Sequence, residues 1–577
     1  MKAIPEPPTP PVDPEGFPRA ERAGRLGLLR QRGQGQPALV SGSELVASTL
    51  AALEFTWIAG VGGTPVHGIY RACAARGLRV LGTRTQAGAT LMTAAAAFVA
   101  GTQCGAVVLS AGPAVTNAIT GILVASDNGW PLLVLGGRRA ADGVQRGHFQ
   151  QLDAASLIRP IAKWTGCAHA PADIPRLLHE AVLTARSGRP GPVYLDLPED
   201  VLGARIVDPG PVEPLVWESL PLEDRLVDGL ARRLRDACNP VLILGDGVRW
   251  RLDIARVRRW LQRLSLPVVS FPLVRGVLGE SHPFAVRGAE SRARVLAQAD
   301  LVVLFGADPD WRLRFGAEID PGASVILVSD TTELPPPLAE RGELMAADPG
   351  LLLNRLAQRS PVREDSQKAM PQACEPVGDA RPTSESSASE AVRLTIREVF
   401  AVIEAVMPPD AFLVVDGKIT LEAAQCFLVR EHPFLYLDPG WNGCMGTGVP
   451  FAMAARLHHP TRPLLLVTGD LAFGMGAIEL ETAVRHRLPF VVLVVNNDGA
   501  VGSLNQITML PPDHPERVHA FQRALAYDQV ATGLGFPACQ ASTAEGLHQA
   551  LSTGLGSGKP LLINTLVDPF STAADGA

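Results

Sequence analysis

No aspartate or glutamate occurs from Phe55 through Ser126, so no carboxylate in that stretch can act as a general acid or base. Paired cysteines are missing as well. Cys73, Cys104, Cys167, Cys238, Cys374, Cys426, Cys444 and Cys539 stand singly, with no CxxC. That spacing disfavours a disulfide framework or a zinc site and points to reduced thiols in the cytoplasm. No uninterrupted apolar run reaches the ~18 residues of a membrane span, so no membrane partner is expected. Clustered cations are lacking too: 52 Lys and Arg against 58 Asp and Glu give a formal net charge of −6, with no footprint for nucleic acid.

What remains is an ordinary globular composition, 47% hydrophobic and 19% charged, in 577 residues, too many for one hydrophobic core. Residues 1–36 are rich in Pro, Gly and Arg and lack the apolar stretch of a secretory signal. With acids already at Glu6, Asp13, Glu15 and Glu21, they read as a disordered leader. From residue 37 onward, β-branched runs such as GAVVLS and PVYLDLP alternate with Ala/Leu-rich helical stretches. That alternation predicts parallel sheets covered by helices on both faces. One block spans 37–205. After a Pro-rich connector a second spans 223–358, beginning at NPVLILGDGV. Polar residues 360–392 read as a flexible linker, and a third block fills 393–577. The expected fold is therefore α/β, with three consecutive doubly wound domains and mainly parallel sheets.

The stretch richest in chemistry is VTGDLAFGMGAIELETAVRHRLPFVVLVVNND. It predicts a buried strand ending at Gly469-Asp470, a crossover helix, and a second strand ending at Asn496-Asn497. A parallel crossover puts both strand ends on one edge of the sheet, where ligands bind in open α/β folds. A small hard cation such as Mg2+ takes oxygen ligands and commonly shares them with phosphates. Asp470 offers a carboxylate, Asn497 an amide oxygen, and the backbone near Gly499 a carbonyl. Gly469, Leu471 and Ala472 form the turn where backbone amides approach a diphosphate. Taken alone, a GD and an NN could equally just end two strands of a generic doubly wound sheet.

The 27-residue spacing of Asp470 and Asn497, with ELETA between them, resembles the signature of thiamine-diphosphate-dependent enzymes, which begins GDG and ends NN. The resemblance extends from about residue 37 to 570. It is greatest to the group of acetolactate synthase, oxalyl-CoA decarboxylase, 2-hydroxyacyl-CoA lyase and benzaldehyde lyase, through SAGPAVTNAITG (110–121), FQQLD (149–153), SGRPGPVYLDLPEDV (187–201), ADLVVLFGADPDWRLRFG (299–316) and GWNGCMGTGVPFAMAA (440–455). It implies a pyrimidine-binding first domain, a Rossmann-like central domain and a diphosphate- and Mg-binding third domain. It also implies a homodimer or homotetramer, because the family's site lies between the first domain of one subunit and the third of another. By the same match, Met445, with Gly443 on its loop, props the cofactor in a bent shape. Gly417 and Thr420 lie beside the diphosphate, Gln150 near the reacting carbon, and Pro113 supports the cleft.

Three positions depart from the pattern. The family's catalytic glutamate is replaced by Gln86, in Arg84-Thr85-Gln86. A carboxamide donates a hydrogen bond but exchanges no proton, so a contribution of about 10²–10⁴ in rate is reduced or lost. Glyoxylate carboligase, which has valine there, implies that loss of the acid does not abolish activity. The second glycine of GDG is Leu471, and the asparagine of the EGANT-like segment is Ile419. Lys418 reads either as a surface lysine, the favoured reading, or as a point charge on the diphosphate.

The resemblance implies an acetolactate-synthase-like enzyme that decarboxylates a 2-oxo acid and ligates the product, with the cofactor ring as electron sink. A 2-hydroxyacyl-CoA or oxalyl-CoA lyase or decarboxylase is one alternative, and a non-catalytic cofactor-binding homologue is another. FAD, or a CoA or ADP ligand, in the central domain is left open, since GDGVRW is a weak nucleotide motif.

Overall fold

The computed structural model describes residues 39–140, 149–210, 222–331, 333–359, 393–499, 514–515 and 521–571. The expected leader and linker lie outside them. Three six-stranded sheets follow one another along the chain, and every pairing within them is parallel. Their central strands, among them Gly105–Leu109, Leu301–Phe305, Phe412–Asp416 and Val491–Asn496, are buried along their whole length. Near-continuous apolar runs are what parallel strands need when helices cover both faces.

In the first sheet, the spatial order is Arg79–Gly82, Trp57–Gly60, Gly105–Leu109, Leu132–Arg138, Pro192–Pro198 and Trp164–Cys167. Counted along the chain this is 2-1-3-4-6-5. The third sheet repeats that order with Tyr436–Leu437, Phe412–Asp416, Leu464–Gly469, Val491–Asn496, Leu561–Leu566 and Ala538–Gln540. The middle sheet differs. Its strands from Pro240–Leu244 to Gly342–Ala346 follow 3-2-1-4-5-6, the order of doubly wound dinucleotide folds. A short antiparallel pair, Leu39–Ser41 with Arg205–Val207, joins the two ends of the first unit.

One core cluster runs through the first and third units, each of which also has a second cluster of its own, and the middle unit has a separate core. Helix α1 (Gln86–Ala100) packs on helix α3 (Gly448–His458). Buried alanines on both, Ala94–Ala97 on α1 and Ala452, Ala454 and Ala455 on α3, let the backbones come close. Trp130 stacks between Phe98 and Phe451, with ring centroids 5.3 and 5.6 Å away. Arginines tie the middle unit to the other two. Arg249 donates to the Phe98 and Val99 carbonyls at 3.0 and 2.8 Å, and Arg275 to those of Ala424 and Leu428 at 3.0 and 2.5 Å.

One local expectation is corrected. The single crossover helix after Asp470 is two helices, α4 (Asp470–Gly476) and α5 (Glu479–Arg485). Gly476 sits so close to the loop before α3 that a Cβ there would lie 2.7 Å from the Gly446 carbonyl oxygen. The helical run gives way just after this contact.

Candidate functional site

The strands Leu464–Gly469 and Val491–Asn496 are direct neighbours, with Gly469 paired to Val495, so their carboxyl ends lie side by side. Successive side chains at a strand end face opposite ways, and the two asparagines divide accordingly. Asn496 donates to the Leu525 carbonyl and to Asn564 at 3.0 and 3.2 Å, inside the fold. Asn497 turns toward Asp470. Its amide oxygen lies 3.2 Å from Asp470 Oδ1 and 3.1 Å from the Gly499 carbonyl oxygen. Three acceptors thus converge with no donor between them. Turning the amide over would make both contacts N–H···O bonds; a cation among them would make all three oxygens ligands.

Asp470 is 2% exposed. Its Oδ1 accepts from the Leu471 amide at 2.7 Å and its Oδ2 from the Gly499 amide at 2.9 Å. Burial nevertheless pushes its pKa up to about 7, and the neighbouring Asp498 carboxylate adds to the rise.

Beside these oxygens opens a cleft of about 360 Å³, lined by Gly417, Lys418, Ile419, Thr420, Met445, Gly469, Asp470, Leu471, Ala472, Val495, Asn497 and Gly499. The fold therefore brings together nearly all the residues expected at the diphosphate end. Gly417, with φ 97°, is where the backbones close in: a Cβ there would meet the Gly469 nitrogen at 3.3 Å. Met445 reaches the cleft because its loop is clamped on α4, where a Cβ on Gly446 (φ 84°) would stand 2.7 Å from that of Met475. Gly443 is exposed on the same loop and does not line the cleft. The Thr420 hydroxyl turns back to the Asp416 and Gly417 carbonyl oxygens at 2.6 and 2.7 Å.

Two residues of this region were not singled out from sequence. Val495 supplies an apolar wall, with no signal beyond its place in a strand. Asp416, 1% exposed, accepts from the Gly448 amide at 2.7 Å, while among the described residues its other oxygen has no hydrogen bond of ordinary geometry. Burial pushes its pKa up to about 7. The Asp-Gly at the end of a buried strand was the available signal.

A second group forms on the carboxyl edge of the first sheet. Gln86 opens α1, and its side-chain oxygen accepts from Asn117 Nδ2 at 2.6 Å. The Asn117 amide in turn donates to the Pro113 carbonyl at 3.0 Å. Gly112, with φ 59°, leaves room for Gln150, whose Cα would be 3.0 Å from a Cβ there. Gln150 itself has φ 55° and accepts from Arg139 at 3.1 Å. Among the described residues, no hydrogen bond or ion pair joins Gln86 or Gln150 to the Asp470 cleft.

The carboxylate nearest Gln86 in these contacts belongs to the third unit. Glu479, 1% exposed on α5, accepts from the amides of Arg84 and Thr85 at 3.2 and 2.8 Å, and from the hydroxyls of Thr85 and Thr482 at 2.7 and 2.6 Å. It caps the start of α1 across the boundary between units. Its place in the ELETA motif was visible in the sequence; its contact with Thr85 was not.

At the switch point of the middle sheet lies a crevice of about 580 Å³. Asp127, Asp246, Asp308, Asp310 and Asp330 line it against two arginines. Arg312 pairs with Asp310 at 2.7 Å and Asp246 at 3.9 Å, and Arg189 with Asp308 at 3.6 Å. Each arginine of the crevice thus faces a carboxylate, and among the described residues Arg312 Nη1 has no hydrogen-bond partner.

Comparison with known proteins agrees along the chain. Residues 40–157 match the N-terminal thiamine pyrophosphate (TPP) binding domain of thiamine pyrophosphate enzymes, 227–334 their central domain, and 416–565 their C-terminal TPP binding domain. A 2-hydroxyacyl-CoA lyase of Oryza sativa is 30% identical over 93% of this chain and 97% of its own. The oxalyl-CoA decarboxylase of Escherichia coli is 28% identical over 94% and 97%, and an acetolactate synthase large subunit of Mycobacterium tuberculosis 30% over 91% and 95%. A solved thiamine diphosphate-dependent 4-hydroxybenzoylformate decarboxylase of Rhodococcus jostii, at 24% identity, shares the fold with a TM-score of 0.77 over 92% of this chain and 99% of that one. With all three domain models matched in order and relatives aligned nearly end to end, this protein belongs to the thiamine-diphosphate-dependent enzymes, in the family that holds these lyases and decarboxylases.

Proposed function

We propose that this chain holds thiamine diphosphate through a Mg2+ ion bound by Asp470, Asn497 and the Gly499 carbonyl, and breaks or forms a carbon–carbon bond next to the carbonyl of a 2-oxo acid. The convergence of three oxygens carries this reading. Octahedral Mg2+ with ligands at ~2.0–2.1 Å separates adjacent oxygens by about 2.9 Å. The spacings of 3.2 and 3.1 Å around the Asn497 oxygen need only a few tenths of an ångström of closure. The donor set, one carboxylate and two neutral oxygens, also suits a hard cation shared with phosphate.

When bound, thiamine diphosphate supplies the carbon nucleophile and the electron sink. The chain's own residues anchor and orient. Asp470 brings the negative charge that a divalent ion offsets, and Met445 presents an apolar support from its clamped loop. Gln86 has its oxygen engaged by Asn117, so its amide N–H groups are the part left to face a ring nitrogen. They donate but cannot deliver a proton, which slows any step that needs one.

Among the described residues no hydrogen bond or ion pair joins Gln86 or Gln150 to the Asp470 cleft, and this supports a homodimer or homotetramer in which one subunit's Gln86 edge faces another's Asp470 cleft. We assign the three domains to 37–205, 223–358 and 393–577. We place the protein in the cytoplasm, in keeping with seven described cysteines that are all free and no described helix long and apolar enough to cross a membrane.

A second reading, cleavage of a 2-hydroxyacyl-CoA or oxalyl-CoA thioester, is favoured by the near full-length matches to a 2-hydroxyacyl-CoA lyase and an oxalyl-CoA decarboxylase. Calorimetric titration with thiamine diphosphate and Mg2+, followed by turnover on pyruvate, 2-hydroxyacyl-CoA and oxalyl-CoA, tests all of this. Metal-dependent binding with turnover of pyruvate supports the first reading, and turnover of a thioester the second. Binding without turnover on any of them makes the chain a non-catalytic homologue. Absence of metal-dependent binding ends the proposal.

A further inference from the structure

We propose that Lys418 is a diphosphate-binding residue of this chain, a point charge that restores anchoring lost where Ile419 and Leu471 replace a polar residue and a glycine. The inference rests on the cofactor reading of the cleft given above.

Its placement is the first argument. Gly417, in its left-handed conformation, turns the chain sharply at the tip of strand Phe412–Asp416, so that helix α2 (Lys418–Phe427) begins on the carboxyl edge of the sheet. Lys418 is the first residue of α2, exposed, and lines the same cleft as Asp470 and Asn497. No side chain caps this helix.

Charge is the second argument. Among the described residues that line the cleft, Lys418 is the only cation and Asp470 the only carboxylate. A diphosphate monoester carries about three negative charges near neutral pH. With Mg2+ and an ionised Asp470 the sum is about −2, held against apolar walls from Leu471, Val495 and Met445. Lys418 halves that residue of charge.

A third, independent observation concerns the helix itself. The positive end of a helix dipole favours anions and disfavours a lysine in the first turn. No carboxylate pairs with Lys418 among the described residues. Among the described residues, its charge in the first turn therefore has no carboxylate to offset it. An anion between the ammonium and the first-turn amides reverses both penalties at once. A merely solvated surface lysine gains nothing from this position.

The test compares the unaltered protein with Lys418→Ala, Lys418→Gln and Lys418→Arg by calorimetric titration. The probes are thiamine diphosphate with Mg2+, inorganic pyrophosphate with Mg2+, and unphosphorylated thiamine. Loss of the charge is expected to weaken both phosphorylated probes about fivefold, the size of an ionic contact left partly in water, and to flatten their salt dependence. Lys418→Arg should stay within about twofold of the unaltered protein, thiamine should respond equally in all four, and thermal midpoints should coincide. Equal binding of both phosphorylated probes by Lys418→Ala, with an unchanged salt slope, overturns the role of Lys418 while leaving the cofactor reading intact. An unaltered protein that takes up neither phosphorylated probe overturns the cofactor reading and the inference together.

Discussion

The carboxyl edges of the first and third sheets rest on the same strand order, yet different groups stand at their sites. The third sheet's edge holds buried carboxylates, among them Asp416 and Asp470, within a framework of backbone amides. The first sheet's edge presents amides at Gln86, Asn117 and Gln150, its acids Asp196 and Glu199 face Arg138 and Arg139, and the acid that grips Thr85 beside Gln86, Glu479, is supplied by the third unit. A shared topology delivers chain ends to the same edge, but the chemistry there is set residue by residue. On the proposed function, one edge anchors a metal and a diphosphate, and the other presents the amide of Gln86 where an acid would move a proton. Anchoring and turnover therefore become separable properties, and each can be altered without the other.

The sharpest way to break the comparison is on the anchoring side. Asp470→Ala removes one of three converging oxygens and the only carboxylate among the described residues of the cleft. Metal-dependent binding of thiamine diphosphate should weaken by about 100-fold or more, as expected when one partner of a buried charge pair is removed. Calorimetry reads this directly, and retention of tight, Mg2+-dependent binding would place the metal elsewhere. The proton side is next. Gln86→Glu should speed proton exchange at carbon 2 of the bound cofactor by about 100-fold, followed by NMR in deuterated buffer, with little change in affinity. Unchanged exchange would mean that Gln86 does not face the cofactor ring.

The smallest effect tests the buried charge of the third edge without any ligand. The Asp416 pKa is raised by burial to about 7, above its value in the unfolded chain. Its contribution to stability is thus fully present below the unfolded pKa and is lost as pH rises toward and through about 7. The apo-protein's thermal midpoint should fall between about pH 5 and pH 8, and Asp416→Asn should flatten that fall. Equal slopes in the two proteins would show that Asp416 is not the titrating group.

Much of the fold was legible because parallel strands buried on both faces must be apolar throughout. GAVVL, LVVLF and VVLVVN announce themselves, and the Ala/Leu-rich stretches between them complete the α/β alternation. The Asp470–Asn497 pairing was legible for a related reason: a parallel crossover leaves no choice about which edge the two strand ends share. The approach of Gly476 to Gly446 was not legible, because it joins segments 30 residues apart. Nor was the grip of Glu479 on Thr85, since nothing local relates residues 394 positions apart.

By itself, the sequence determined the three α/β units, an amide rather than an acid at Gln86, and the set of oxygen donors near Asp470, because these depend on residue type and local periodicity. Only the tertiary structure decided how those donors meet. It turned Asn497 rather than Asn496 toward Asp470, directed the Thr420 hydroxyl back to the chain, placed Lys418 on the rim of the cleft, and kept Gln86 on a separate edge. Each of these depends on which way a backbone turns at a strand tip, and that is settled by packing between distant segments rather than by neighbours in the chain.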